Sequence, residues 1–167
     1  MELKEASDKF IQNWAQLGTN WGINKTMAQI HALLLISTHS LSAEEIMEKL
    51  LISRGNTNMN VRALIDWGLV YREYKIGERM EFFRAEKDIN KVGRCIARER
   101  RKREIEPVIN LLKELSSEKL ENSPEAKEFT KVTKDIQEFS TTIDGFLEKF
   151  SKTDENWFYA ILLKLMK

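Results

Sequence analysis

Two short helices, each opened by its own serine cap and followed at once by a glycine-centred hairpin, constrain this chain more than any other feature. Ser42-Ala43-Glu44-Glu45 places a hydroxyl before a helix and a glutamate at its third position. That pair satisfies two otherwise unpaired backbone N–H groups at a helix start. The helix it predicts runs to about residue 51. Ser53 is the next N-cap and opens a helix ending near Gly68. Two helices joined this tightly outline a helix-turn-helix. Residues 69–74 then favour β structure, residues 75–79 form a turn around Gly77, and residues 80–84 favour β structure again. A hairpin in that position is a wing.

The surrounding sequence is helical. Residues 3–17 carry Leu3, Ala6, Phe10, Ile11, Trp14 and Leu17 at helical spacing, and Gly18 is the predicted C-cap. Residues 24–38 are apolar nearly all round, as in a buried helix. Beyond Asp88 a long helix is predicted over 88–115, with a kink or break at Pro107. Ser123-Pro124-Glu125 restarts a helix with proline at its first position, running to about residue 150. Asp154 caps a last predicted helix, 155–166, with Trp157, Phe158, Ile161, Leu162 and Leu165 on one face. The expected fold is mainly α: a winged helix-turn-helix with a small β-hairpin wing and an α-helical dimerisation region. Its expected parts are an N-terminal dimerisation helix (1–23), a DNA-binding domain (24–88) and a C-terminal helical dimerisation or effector region (89–167).

Several function classes recede on composition. The chain has 167 residues, 42% of them hydrophobic and 32% charged, with only 7 Gly and 2 Pro, which suits a helix-rich globular chain rather than a disordered one. Its 27 basic and 26 acidic residues leave a net charge of +1. Any nucleic-acid surface must therefore come from local concentration of charge. One cysteine, Cys95, excludes an internal disulfide and a Cys-rich zinc site, and suits a reducing, cytoplasmic setting. The longest apolar run, residues 30–36, is interrupted by His31 and too short to span a bilayer. The start, Met-Glu-Leu-Lys-Glu, has no signal pattern. His31 and His39 are the only histidines, without metal-ligand spacing. His31 on an apolar helix is expected to be a hydrogen-bonded core residue. No phosphate loop, nucleophile elbow or acid pair suggests an enzyme, and no cofactor or metal is expected.

The segment that carries chemistry is 50–70. Thr57, Val61 and Leu64 share one helical face and are expected to pack inward. Arg54, Asn56, Asn58, Met59 and Arg62 then point outward or sit at the exposed N-terminal end. Arginine suits guanine or phosphate, and asparagine suits adenine. The helix that Ser53 opens offers backbone N–H groups to a phosphate, and Gly55 lets a DNA backbone come close. On the hairpin, Lys75 and Arg79 are candidate phosphate contacts, although Glu78 between them also fits a solvated turn. The basic run Arg98, Arg100, Arg101, Lys102 and Arg103 reads first as a solvated helix face, with Glu99–Arg103 pairing. Cys95 reads as a plain buried thiol.

From about residue 41 to residue 88 these pieces resemble the GbsR-type branch of the MarR family of transcription regulators. The matching pieces are Ile52-Ser53-Arg54-Gly55-Asn56, Met59-Asn60-Val61-Arg62, Asp66-Trp67-Gly68-Leu69-Val70, Gly77-Glu78-Arg79 and Lys87-Asp88. Ile96-Ala97-Arg98-Glu99-Arg100 and Arg103-Glu104-Ile105-Glu106-Pro107 continue the likeness. Thr57 stands where a β-branched apolar residue is commoner. The resemblance implies a homodimer that binds double-stranded operator DNA, some such proteins responding to choline or glycine betaine. A quaternary ammonium effector would need an aromatic cage, for which Phe10, Trp14, Trp21, Trp67, Trp157, Phe158 and Tyr159 are the candidates. At helical spacing, core or interface is the commoner fate of such residues. The first and last helices, both amphipathic and rich in aromatics, are the expected dimer interface. Two-fold symmetry would then place half-sites about one DNA turn apart. The rival reading is a winged-helix protein-interaction module that binds no DNA, since fold does not fix function.

Overall fold

The computed structural model describes residues 1–20 and 22–152. Trp21, Trp157, Phe158, Tyr159 and the predicted helix 155–166 lie outside the described residues. The chain divides into two compact units, Met1–Val92 and from Gly93 onward.

The first unit is a winged helix-turn-helix with one additional helix at its start. It contains α1 (Leu3–Asn20), α2 (Lys25–Ile36), β1 (Leu41–Ser42), α3 (Ala43–Leu50), α4 (Arg54–Asp66), β2 (Val70–Tyr74) and β3 (Glu81–Ala85). The three strands form an antiparallel sheet in the order β1-β3-β2. β1 is a two-residue edge pairing Leu41 with Phe83 and Ser42 with Phe82, too short to stand out in the sequence. Ile30, Leu34, Leu41, Ile46, Leu64 and Val70 are buried almost completely and form the centre of the core.

Among the described residues each predicted helix start is present, and the ends reveal a shared device. Ser42 and Glu45 form the reciprocal capping box: the Ser42 N–H donates to Glu45 Oε2 at 2.7 Å, and the Glu45 N–H donates to Ser42 Oγ at 3.2 Å. The bond from the Ser42 backbone N–H holds the Glu45 carboxyl below its usual pKa. At the end of α4, Gly68 takes φ +76, Leu69 N–H reaches Leu64 O and Gly68 N–H reaches Ile65 O, so that left-handed glycine satisfies two carbonyls. α1 ends the same way on Gly22, with φ +73 and the Ile23 N–H on Gly18 O.

Gly18 is therefore not the C-cap of α1. The helix runs two residues past it, and Gly18 is buried where α1 crosses α2. A Cβ at Gly18 would lie 2.6 Å from the Ala28 Cβ. The glycine is needed for close approach rather than for termination. α2 ends at Ile36, two residues earlier than expected. Lys87, just past the wing, explains how that end is held. Its Nζ donates to the carbonyls of Leu34 (3.0 Å), Leu35 and Ser37 (2.9 Å), pairing a cation with carbonyls left free at a helix C-terminus. Partial burial lowers the Lys87 pKa.

α5 (Ile89–Arg100) runs on from the first unit into the second, which contains a single π turn (Arg101–Ile105), α6 (Glu106–Ser117) and α7 (Pro124–Lys152). Pro107 neither breaks nor ends the helix. Its ring would collide with the carbonyl four residues back, and the chain widens there instead, with the Glu106 N–H reaching Arg101 O. α7 starts as predicted on a Ser123 cap, whose Oγ accepts the Ala126 N–H at 3.2 Å.

Candidate nucleic-acid interface

α4 is positioned by its inward face. Thr57, Val61 and Leu64 are buried as the spacing predicts, and the Thr57 hydroxyl is satisfied by Ser53 O at 3.0 Å. Asn60 is buried too, which spacing alone had not singled out. Its Nδ2 donates to the Asn56 carbonyl and to Asn56 Oδ1, both at 2.8 Å. Asn56 Nδ2 in turn donates to Thr26 Oγ1 at 3.4 Å. The side chain of Asn56 is thus half-buried and ties α4 to α2, rather than pointing outward as expected. It sets the pose of the helix and is poorly placed to reach a base edge.

The opposite face is open. Arg54, Gly55, Asn58, Met59 and Arg62 are all exposed. Arg54, Asn58 and Arg62 follow one another at four-residue intervals, so they form one stripe. Among the described residues Arg62 and Asn58 have no side-chain hydrogen bond or ion pair. Arg54 meets Glu44 of α3 at 3.0 Å, with both side chains largely in water, a contact worth less than about 1 kcal/mol and easily exchanged for a phosphate. Ser53 caps α4 by accepting the Asn56 N–H at 3.4 Å. The N–H groups of Arg54 and Gly55 belong to the first turn, where no intrahelical partner exists. Gly55 has nothing within 4 Å of where a Cβ would stand, so that approach is unobstructed.

The wing differs from the expectation in which cation it offers. Lys75 Nζ lies 3.6 Å from the centre of the Phe82 ring, a cation–π contact that folds it back onto the strand. Arg79 is exposed and has no ion pair among the described residues. The turn between them closes with the Glu78 N–H on Lys75 O at 3.1 Å and with Gly77 at φ +85, which a glycine accommodates freely. Ile76 at the tip is fully exposed, Tyr74 beside it is largely so, and Met80 is partly exposed. Along the strands Arg84 pairs with Glu73 at 2.6 Å and Arg72 with Glu81 at 3.3 Å. At the base, the Tyr71 hydroxyl donates to Glu86 Oε2 at 2.5 Å, and Lys91 Nζ meets the same oxygen at 2.6 Å. Bonds from Lys91 and Tyr71 push the Glu86 pKa down to about 2.

The basic run is largely committed to protein partners. Arg100 binds Glu104 through two nitrogens, at 3.0 and 2.9 Å. Arg101 grips Asp144 of α7 at 2.6 and 3.0 Å and also meets Glu106 at 3.1 Å. The Arg98 guanidinium donates to Cys95 Sγ at 3.7 Å, and Cys95 is buried.

Of the candidate cage residues, Phe10 and Trp14 stack with centroids 5.6 Å apart, and Trp14 leans on the His31 ring at 5.9 Å. Trp67 is buried. His31 is buried but is not hydrogen-bonded as expected: its Nε2 has no partner, and burial lowers its pKa to about 4. Among the described residues no cluster of His, Cys, Asp and Glu could hold a metal, and no helix is long and apolar enough to cross a membrane.

Residues 21–74 match the sequence profile of the MarR family. No curated protein sequence matches the chain. A solved structure described as that of a transcriptional regulator superposes with a TM-score of 0.60 at 18% identity, covering 89% of this chain and 99% of the other. That likeness is one of fold alone.

Proposed function

We propose that the chain is a sequence-specific, DNA-binding transcription regulator that acts as a homodimer. The observation that carries this reading is the open stripe Arg54–Asn58–Arg62 on the second helix of the helix-turn-helix. The stripe stands opposite the buried Thr57, Val61 and Leu64, in a segment that matches the MarR family profile. A merely solvated helix face needs no Asn56–Thr26 tie to fix its pose and no free arginine at its outer turn. In this reading α4 enters the major groove. Arg62 and Asn58 reach base edges, the first turn with Ser53 and Gly55 receives a phosphate, and Arg79 on the wing holds the backbone. Met59 offers apolar contact to a thymine methyl group. Two protomers would engage half-sites about one DNA turn apart.

The finer assignment, to the GbsR-type branch in the cytoplasm, rests on the Ser53-Arg54-Gly55-Asn56 and Gly77-Glu78-Arg79 pieces. With it comes a quaternary ammonium effector, for which the stacked Phe10–Trp14 pair offers one aromatic wall.

The test is fluorescence anisotropy with DNA from upstream of the chain's own gene, against a scrambled duplex. Arg54 and Arg79 of two protomers supply four phosphate-facing cations, so log affinity should fall with log salt at a slope of about −4. Specific binding with that slope supports the reading. Absence of binding at low salt overturns it and favours the protein-interaction module.

A further inference from the structure

The tip of the wing presents an isoleucine that lies wholly in water. Ile76 is fully exposed, and Tyr74 beside it is 71% exposed. The tip is nonetheless firmly built. Ile76 and Gly77 are the central residues of the turn that the Glu78 N–H closes on Lys75 O, and Gly77 takes φ +85. A positive φ at the second central residue is that of a type II turn. Below the turn, the Tyr74 hydroxyl donates to Glu81 Oε1 at 3.2 Å, and Lys75 Nζ lies 3.6 Å from the centre of the Phe82 ring. Both residues before Ile76 are thus anchored on the opposite strand. Ile76 itself is β-branched and has few rotamers to lose. The first central position of such a turn favours proline, so folding does not call for isoleucine there. The result is a short, stiff apolar point on a fixed support.

We infer that Ile76 is a wedge that enters the minor groove beside the half-site and unstacks one base step there. The inference rests on the DNA-binding reading of α4 and adds to it a residue that reads how easily the duplex deforms. Reach, charge and shape select this occupant. The strand Val70–Tyr74, five residues long, carries the tip about 16 Å outward. Half a turn of DNA is about 17 Å, so a wing beside a helix seated in the major groove reaches the next minor groove. The turn bears Lys75 and Arg79 against one acid, Glu78, while the strand arginines Arg84 and Arg72 are held by Glu73 and Glu81. Positive charge beside the apolar point suits a groove walled by phosphates, and Arg79 holds that backbone while Ile76 enters. A purely apolar pocket on a protein partner would leave Arg79 without a counter-charge. Apolar side chains inserted between base steps partly unstack them and kink the duplex. Pyrimidine–purine steps such as TA open most easily, so the wedge confers a preference where no hydrogen bond reads a base.

The probe is the duplex from upstream of the chain's own gene, with 2-aminopurine replacing the adenines of the flanks one at a time on either strand. This base brightens when it is unstacked and stays quenched within the stack. At saturating protein the natural chain should brighten it at one step in each flank by about threefold or more. Ile76→Ala should bind the same duplex without the brightening. Ile76→Leu should restore it, and Ile76→Thr, branched alike but polar, should not. Replacing the responsive step by GC should weaken the natural chain about fivefold and Ile76→Ala less than about twofold. Arg79→Ala should lower affinity yet keep the brightening once protein is saturating, which separates anchoring from unstacking. The Ile76 side chain is exposed, and circular dichroism confirms that each variant is folded. Binding by the natural chain without brightening at any flanking position, or equal brightening by Ile76→Ala, would leave the tip to a protein partner and overturn the wedge, with the reading by α4 intact. Absence of binding by the natural chain at low salt would remove the DNA-binding reading and the wedge with it.

Discussion

His31 should make the protein lose stability in mild acid, well before its carboxylates titrate. The ring is 3% exposed, Nε2 has no hydrogen-bond partner, and the pKa stands near 4 against 6.5 for a free histidine. Above pH 7 the ring is neutral in both folded and unfolded chains and contributes nothing to the pH dependence. As pH falls through 6.5 the unfolded chain takes up a proton that the folded core refuses, so stability declines until the folded pKa is reached. Linkage gives a loss of about 2 kcal/mol between pH 7.5 and pH 5, and about 3.4 kcal/mol once pH is below 4. Glu86, pushed down to about 2, and the other carboxylates held below their usual range contribute their loss mainly below about pH 4.5. The assay is urea denaturation at half-unit pH steps, for the natural chain and for His31→Leu, which keeps the volume and removes the titrating ring. The natural chain should lose about 2 kcal/mol, and the variant should stay flat and equal or exceed it at pH 7.5, because an unsatisfied buried nitrogen has gone. A flat curve for the natural chain, or equal slopes for both proteins, would refute the reasoning.

Two backbone positions give further predictions. Gly18→Ala should destabilise by about 1–3 kcal/mol despite alanine's better helix propensity, because two helix backbones must separate to relieve the 2.6 Å contact with Ala28; an unchanged chemical-denaturation midpoint would contradict the close approach. Leu51 holds φ +53 in the turn between α3 and α4, the place taken by glycine at the ends of α1 and α4, and its side chain is 90% exposed. Leu51→Gly should therefore stabilise by about 0.5–1 kcal/mol, read as a rise in melting temperature, and a fall would mean that the side chain is held by contacts that the exposure does not reveal.

Much of this was legible because capping is local. Ser42, Glu45, Ser53 and Ser123 act within four residues of themselves, so their spacing predicts helix starts directly. Thr57, Val61 and Leu64 were legible for the same reason: one helix period fixes their common face. What escaped the sequence depends on partners far along the chain. Gly18 reads as a terminator until Ala28 is seen against it. Asn56 reads as an outward polar residue until Thr26, thirty positions earlier, accepts its proton. Lys75 reads as a free cation until Phe82 comes beneath it across the hairpin. Lys87 gave no local sign of holding the end of α2, fifty residues back. The basic run on α5 and the π turn is mostly neutralised, and for Arg101 the main partner, Asp144, is 43 positions away.

The most direct test of the account is a binding titration of four variants against a library of operator sequences. Asn58→Ala and Arg62→Ala should each cost about 1–3 kcal/mol and relax base preference at particular positions. Arg79→Ala should weaken all sequences alike and reduce the salt slope by about two per dimer, one for each wing. Lys75→Ala, its cation already held by Phe82, should change affinity least. Uniform loss of affinity in the helix variants together with altered base preference in the wing variant would contradict the assignment of reading to α4 and anchoring to the wing.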